Sequence, residues 1–376
     1  SPASSPAAGT SSAGPKVKIE YWHINNETQG GAAVDDFIKE FNASQNRYEV
    51  VGRFTDGYDA IMKNLQADTA AGKAPGIVQV SWSNIEYFPN NFSYVSPDDL
   101  VKKYFPDDRD FLSSTFDPSI LGLAKNSQGV LAGVPYSVSN PVLFYNADLL
   151  KKSGLSENGP QSWDEFVSFA KTIREKTGKY GAYLQEGDTW VLQALLESAG
   201  GKMITWNNGK ADITFDTDKG RAAFQSYADL VLKDKSAVHL PNLEDGLKAF
   251  NDGEIGMCIC SIAKAANIIK SAKFDVRSTA FPTFSGEKRA VPAGGCYLAI
   301  NASEEAQQKG AWEFIKFLLK DDNAAKWVAG TGYVPSTKGA ENSQILKDYL
   351  KKNPLMQAAM EQRANAVQWA AYPGNS

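Results

Sequence analysis

Side chains that could bind a small polar solute occur where predicted strands and helices begin or end. The chain contains eight Trp and fifteen Tyr residues. A sugar ring packs its C–H faces on such rings, while its hydroxyls need Asn, Asp, Glu, Ser or backbone partners. Trp82 follows an apolar strand predicted at 77–80, at the sheet edge where ligands collect in open α/β folds. We therefore expect Trp82 to be a ligand platform rather than a core residue.

A second group of polar candidates follows the first predicted strand. Asn25, Asn26 and Glu27 lie in a loop that leads into a helix N-terminus, and we expect them to make polar contacts with a ligand. Trp22, at the end of that strand, is as consistent with the core as with a site. His23 is more typical of a structural imidazole.

Further candidates lie in the second half of the chain. Trp190 begins a predicted helix and either faces a ligand or packs inward, and Asp188 before it could instead cap that helix. Ser261 and Lys264 follow a buried strand predicted at 255–260, so they either reach a cleft or cap the next helix.

The sequence lacks the local signatures of common catalytic sites. It contains no Gly-x-Ser-x-Gly elbow, Walker loop, strand-linked Gly-x-Gly-x-x-Gly or His-Glu-x-x-His. An extracellular glycosidase stays open as an alternative, because two carboxylates far apart in sequence can meet across a cleft. Cys258, Cys260 and Cys296, with two histidines, match no common zinc spacing. We expect a binding protein with buried thiols, no metal and no cofactor.

Composition bounds the class of protein. The chain has 376 residues, 43% of them hydrophobic and 22% charged, which is typical of globular domains. A net charge of −4 counts against a nucleic-acid partner. No apolar run reaches membrane-spanning length. Residues 1–16 are almost entirely Ser, Pro, Ala, Gly and Thr, which predicts a disordered tether like those of bacterial lipoproteins, or else an expression remnant.

Alternating strand and helix patterns predict an α/β fold with mostly parallel strands. Ser162-Trp163-Asp164-Glu165 reads as a capping box that opens a helix. Two lobes of similar build follow from the pattern, but the pattern leaves open which segment returns to which lobe. The further predicted elements are strands at 17–21 and 48–54 and helices at 34–41, 58–71, 190–199, 218–232, 243–250, 303–319 and 322–329.

Four segments carry a resemblance to a known family: Tyr21-Trp22-His23, the run from Pro135 to Asn146 (Pro-Tyr-Ser-Val-Ser-Asn-Pro-Val-Leu-Phe-Tyr-Asn), Gly294-Gly295, and Gly-Tyr-Val-Pro-Ser-Thr at 332–337. Together they resemble the extracellular solute-binding proteins of ABC importers, in the maltose-binding-protein-like branch that holds sugar and glycerol-3-phosphate binders. The resemblance implies a two-lobe periplasmic-binding-protein type II fold with three crossovers, near 137–140, 291–294 and 333–336. It assigns 17–137 and 294–333 to one lobe, and 138–293 and 334–376 to the other.

The same resemblance implies site residues at the crossovers. Ser139 and Asn140 would face the cleft, although two flanking prolines could equally set hinge geometry alone. Gly294 and Gly295 would let backbone N–H groups approach a solute, the alternative being a hinge or close packing. Trp190 matches a Trp of this branch. Tyr333 is expected to be a ligand-binding aromatic rather than a core residue, because a turn between lobes is seldom buried.

Two departures from the glycerol-3-phosphate binders favour a neutral ligand. Trp82 stands where those proteins carry a Glu, and Tyr372 stands near the C-terminal Gly-Asn where they carry a basic residue. We expect a monomeric binding component of an ABC importer, lipid-anchored on the extracytoplasmic face of the membrane. It would capture a neutral oligosaccharide by hinge closure and deliver it to a transmembrane permease. A glycerol-3-phosphate binder is the alternative within this family.

Overall fold

Two mixed β-sheets flanked by helices carry the core in the computed structural model, which describes residues 14–27, 30–187 and 189–372. Most of the expected tether, together with Asp188 and residues 373–376, lies outside these described residues. In chain order the strands are β1 Val17–His23, β2 Tyr48–Phe54, β3 Ile77–Ser81, β4 Val134–Ser139, β5 Pro141–Asn146, β6 Tyr180–Leu184, β7 Ile204–Asn207, β8 Lys210–Ile213, β9 Ile255–Ser261, β10 Val276–Ala280, β11 Val291–Pro292, β12 Gly294–Ile300 and β13 Ala366–Val367.

The α-helices surround these strands and are joined by short 3₁₀ turns. No helix in the described ranges combines the length and the apolar character needed to cross a bilayer. The helices are α1 Gly31–Ser44, α2 Tyr58–Ala70, α3 Tyr87–Asn91, α4 Pro97–Tyr104, α5 Phe111–Thr115, α6 Pro118–Leu123, α7 Ala147–Lys152, α8 Trp163–Thr177, α9 Trp190–Ser198, α10 Asp218–Leu232, α11 Leu243–Asn251, α12 Ala265–Ser271, α13 Glu305–Leu318, α14 Asp321–Thr331, α15 Gln344–Lys352 and α16 Met356–Glu361.

The two sheets share a mixed strand arrangement. The first has the order β2-β1-β3-β12-β4, with β1 parallel to β2 and β3, and β12 antiparallel to β3 and β4. The second has the order β10-β5-β9-β6, in which only β6 and β9 are parallel. The expectation of mostly parallel strands was therefore wrong. Two neighbouring parallel strands need a crossover connection, usually a helix. A strand that enters a sheet directly from the other sheet has no such connection and can run antiparallel to its neighbours.

Helix α8 shows how local sequence sets an element. The Ser162 hydroxyl accepts from the Glu165 backbone N–H at 3.2 Å, and the Glu165 carboxylate accepts from the Ser162 N–H at 3.3 Å. These two bonds confirm the predicted capping box. The helix ends at Gly178, whose φ of 73° is the left-handed conformation that glycine adopts without strain.

The chain passes between the sheets three times. Asn140 alone separates β4 from β5, and β10 in the second sheet precedes β12 in the first. The last passage, expected near 333–336, stays a proposal, and the packing of the last helices favours a later position. Helix α15 still packs on α14, which packs on α1, whereas α16 is the helix that packs on β10 and β5 of the second sheet. We therefore move the proposed third boundary to about 353–355.

All three cysteines are buried and unpaired, as expected. Cys258 and Cys260 lie on β9, and Cys296 lies on β12. Burial raises the pKa of the Cys296 thiol to about 11, so this thiol is protonated near neutral pH. A protonated, enclosed thiol is a poor nucleophile and a poor metal ligand.

Candidate ligand-binding site at the crossing strands

The first passage between the sheets draws several candidate residues together. Ser139 at the end of β4 pairs with Gly294 at the start of β12, and Val138 pairs with Gly295. The backbone N–H of Val334 donates to the Val138 carbonyl at 2.8 Å, which brings the neighbouring Tyr333 to the same strand. On the other side of the crossing, Pro141 at the start of β5 pairs with Ser261.

Trp190, the first residue of helix α9, packs over this crossing. A Cβ placed on Gly294 would lie 2.5 Å from the Ser139 hydroxyl oxygen and 3.0 Å from Cζ2 of Trp190. Only glycine lets the indole come this close to the backbone. Trp190 is 3% exposed, and its ring centroid lies 6.1 Å from that of Trp369 at an interplanar angle of 50°. Trp190 thus packs on a neutral patch of hydroxyl and backbone, and Trp369 lies next to Trp190.

Trp369 is the site candidate that sequence reasoning missed. It is half-buried and packs against both of the larger hydrophobic cores. Its place depends on Gln193 of α9, whose side chain donates to the Gln368 carbonyl at 2.9 Å and accepts from the Ala370 N–H at 2.8 Å. The one available signal was a Trp three residues before Tyr372, and no local pattern shows that a helix far away in sequence holds it.

Trp369 lies in the segment that follows α16, residues 362–372, which we call the tail. The tail is also bound to the first lobe. The Gln368 side chain donates to the carbonyls of Leu123 and Lys125, at 3.4 and 2.7 Å, just after α6. Val367 on β13 pairs with Pro292 on β11. Trp369 is therefore positioned by side-chain-to-backbone hydrogen bonds of Gln193 and Gln368 and by the pairing of β13 with β11.

Tyr333 ends a column of stacked rings on the first lobe. Its ring lies 6.5 Å from that of Trp327, which in turn lies 4.6 Å from that of Tyr136, both at 23°. The ring is half-buried, so its participation in binding stays a prediction. Burial and, next, the neighbouring Cys296 raise the pKa of Tyr333 to about 12, so its hydroxyl keeps its proton near neutral pH.

Trp82 is a core residue in this structure. Its side chain is fully buried, and its indole N–H donates to the Ser137 carbonyl at 2.9 Å. Its ring lies 5.6 Å from that of Tyr297. The expectation of a ligand platform was wrong, because the 3₁₀ turn Trp82–Asn84 points the ring back under β4.

Asn140, Ser261 and Lys264 each have a partner within the protein, and Ser261 is the one that makes the cap weighed as its alternative. Asn140 is fully buried and holds the tail, donating to the Ala359 carbonyl at 3.1 Å and accepting from Gln362 at 2.7 Å. Ser261 caps the 3₁₀ turn after β9, accepting from the Ala263 N–H at 3.2 Å. The Lys264 ammonium lies 3.2 Å from the Glu244 carboxylate.

The remaining predicted residues lie elsewhere. Asn25, Asn26 and Glu27 line a groove of about 700 Å³ between α1 and the edge strand β2. This groove is on the β2 side of the first sheet, whereas Ser139 and Gly294 are on its β4 and β12 side. Asn25 is buried and accepts from Gln79 at 2.9 Å. Tyr372 is 47% exposed at the end of the described chain.

A family comparison agrees with this architecture. The family model for bacterial extracellular solute-binding proteins matches residues 36–358. The chain belongs to this family. It is a solute-binding protein of the ABC-importer type, and its relatives are binding proteins.

Individual relatives include both kinds of binder named in the sequence analysis. The chain is 27% identical over 360 residues to the sn-glycerol-3-phosphate-binding periplasmic protein UgpB of Escherichia coli strain K12, covering 92% of this chain and 80% of that protein. Its fold is similar to that of the cyclic alpha-maltosyl-1,6-maltose binding protein from Arthrobacter globiformis, with a TM-score of 0.81, 22% identity and coverage of 96% and 89%. UgpB from Mycobacterium tuberculosis in complex with glycerophosphocholine gives a TM-score of 0.79, 23% identity and coverage of 94% and 87%.

The arginines of this solute-binding protein all have partners within the chain. All eight arginines lie within the described residues, and each has a partner. Within the same ranges, no three His, Cys, Asp or Glu side chains are grouped so as to hold a metal ion. The arginine partners are Glu313 for Arg47, Asp68 for Arg53, Asp110 for Arg109, the Gly178 carbonyl for Arg174, Asp216 for Arg221, Asp275 for Arg277, the Phe281 carbonyl for Arg289, and Asp117 and Glu341 for Arg363.

Proposed function

We propose that this protein captures a neutral oligosaccharide between its two lobes and delivers it to the permease of an ABC importer. The observation that carries the proposal is the Trp190 indole packed beside the Ser139 hydroxyl and the Gly294 backbone, with the Trp369 indole next to it. Aromatic faces with uncharged hydrogen-bonding groups match the two kinds of surface on a sugar ring. Aromatic and polar groups from both lobes meet at this crossing, so a bound sugar would contact both lobes.

The proposed mechanism is closure about the crossing strands. A ligand that contacts both lobes only when they are closed binds that state more tightly, and this difference in affinity shifts the population towards it. We further propose that the protein acts as a monomer without catalytic activity. The Ser/Pro/Ala/Gly-rich segment 1–16 would tether it, through a lipid, to the extracytoplasmic face of the cell membrane.

A glycerol-3-phosphate ligand is the second candidate. It is favoured by the 27% identical relative from Escherichia coli, which is a glycerol-3-phosphate-binding protein. A phosphate is usually held by arginine in a two-point hydrogen-bonded clamp. Every arginine of this chain already has a carboxylate or carbonyl partner, which favours the neutral ligand. The argument from Trp82 no longer counts, because that ring is buried.

Calorimetric titration of the wild type with neutral oligosaccharides and with glycerol-3-phosphate tests the proposal. We expect binding of a neutral oligosaccharide, weakened by about 1–3 kcal/mol in Trp190→Ala and in Trp369→Ala. Phe215→Ala, which removes a 45% exposed ring outside the site, is the matched control and should bind as the wild type does. Binding confined to glycerol-3-phosphate would support the second candidate. Turnover of a chromogenic glycoside would instead support the glycosidase alternative.

A further inference from the structure

The hairpin formed by β7 and β8 presents a third tryptophan beside the tail. Its turn is Asn208-Gly209, with φ of 51° and 74°, the left-handed pair that suits a tight two-residue hairpin. The turn fixes the register, in which Trp206 lies opposite Ala211. Alternate residues of a strand share a face, so Ile204 and Trp206 point the same way. The hairpin therefore holds the Trp206 ring in a defined place.

The Ile204 and Trp206 face lines a cavity of about 150 Å³. The opposite walls are α9 and tail residues 367–371. Gln193 and Trp369 line this cavity, and both also build the candidate site: Trp369 faces Trp190 at 6.1 Å, and Gln193 anchors the tail. The cavity is thus an extension of the site that shares one wall with it.

The polar groups of this cavity are balanced in charge. The Glu197 carboxylate is 6% exposed and accepts from Gln193 and from the Met203 N–H, each at 3.3 Å. The ammonium of Lys202 lies 3.0 Å from Glu197 and is 56% exposed. In such a pair the carboxylate accepts hydrogen bonds from ligand hydroxyls and the ammonium donates hydrogen bonds to them. The pair has no net charge, so it does not favour an ionic ligand.

We propose that this cavity is an outer sugar subsite in which Trp206 packs against a unit of the ligand beyond the one held at Trp190 and Trp369. The Glu197 and Lys202 pair would hydrogen-bond the hydroxyls of that outer unit. The ligand is then an oligosaccharide with at least two units, and its affinity rises with chain length. This inference rests on the proposed function, because it extends the same site.

Titration with glucan, xylan and mannan oligosaccharides of one to five units tests the subsite. In the series that the wild type binds, Trp206→Ala should lower the affinity for the longer members about tenfold and leave that for the shortest bound member unchanged. Trp206→Phe keeps a ring and should restore most of the loss. Phe215→Ala, with a 45% exposed ring just beyond β8, is the control.

Three outcomes would overturn the subsite. An affinity that does not depend on chain length in the wild type would remove the need for an outer unit. An equal loss for short and long members in Trp206→Ala would mean that Trp206 only supports the tail. An unchanged affinity in Trp206→Ala would exclude the ring from binding. Failure of the wild type to bind any of these sugars is distinguishable, since it would overturn the proposed function and the subsite together.

Discussion

The two lobes use tryptophan differently. In the first lobe the indole N–H groups of Trp22, Trp82, Trp312 and Trp327 donate to Glu20, the Ser137 carbonyl, Asp108 and the Ser137 hydroxyl, at 2.7 to 3.2 Å. Those four rings are buried. In the second lobe, Trp163 is buried in the same way, and its indole N–H donates to the Ser226 hydroxyl at 2.8 Å. The other three indoles, the buried Trp190 and the partly exposed Trp206 and Trp369, lie at the crossing and around the neighbouring cavity.

This contrast shows why strand position alone misled the prediction for Trp82. Trp82 follows a strand end, where ligands collect in α/β folds, yet its N–H is taken by a carbonyl 55 residues away. A first lobe that buries its rings offers mainly backbone, hydroxyl and glycine at the crossing. The second lobe and the tail supply the aromatic surfaces.

The largest expected effect is on stability, in the first lobe. Trp82→Ala removes a fully buried ring and its hydrogen bond, and should lower the free energy of unfolding by about 3–5 kcal/mol. Urea unfolding followed by circular dichroism measures this loss. Sugar affinity of the folded variant should stay close to that of the wild type. A variant of normal stability that has lost sugar binding would break the comparison and return Trp82 to the site.

A smaller effect is expected at the contact between the lobes. Gly294→Ala puts a methyl group 3.0 Å from the Trp190 ring and 2.5 Å from the Ser139 hydroxyl, so the indole must shift. Overpacking of this kind typically costs about 1–3 kcal/mol, here expected as weaker ligand binding measured by calorimetry. Gly122→Ala, with open space around the added methyl group, is the control.

A double-mutant cycle sharpens this prediction. If Gly294→Ala acts by moving the indole, its effect on affinity should largely vanish in a Trp190→Ala background. Additive losses would mean that Gly294 contributes independently of Trp190. The contact between the Trp190 indole and Gly294 would then not be the cause of the weaker binding.

The smallest expected effect is a pH dependence from the first lobe. Burial lowers the pKa of His23, against smaller raising contributions from Asp35 and from the Asn25 backbone. Because the unfolded chain takes up this proton first, the stability contribution of neutral His23 is complete above about pH 6.5 and falls as the pH drops towards the folded pKa. Unfolding in urea from pH 7.5 to 5.0 measures the slope. His23→Gln should flatten it, and an unchanged slope would assign the dependence to other groups.

The sequence predicted where helices and strands lie better than it predicted which strands and helices pack together. The capping box of α8, the helix at 218–232 and the buried strand near 255–260 depend on neighbours in sequence, and they form as expected. Strand direction depends on which segments cross between sheets, and no local pattern carries that information. The third crossing, which we propose to lie later than the resemblance implies, has no local signal for the same reason, since α15 looks alike in sequence whether it packs on α14 or on the second sheet.

The site was predictable where backbone geometry repeats a family pattern. Gly294 and Ser139 were expected at the crossing, and the structure pairs them there. The partners of Asn140, Ala359 and Gln362, could not be predicted because they lie more than 200 residues away. Trp369 was missed because its position depends on the two hydrogen bonds that Gln193 makes to the tail.

Gln368 has a mechanical consequence for the whole molecule. Its side chain is bonded to carbonyls after α6, and its own carbonyl is bonded to Gln193 on α9. Any motion that pulls α9 away from the end of α6 must therefore stretch or release one of these bonds. If the lobes close about Asn140, the residue between β4 and β5, the hydrogen bonds of Gln368 would limit how far they can open again.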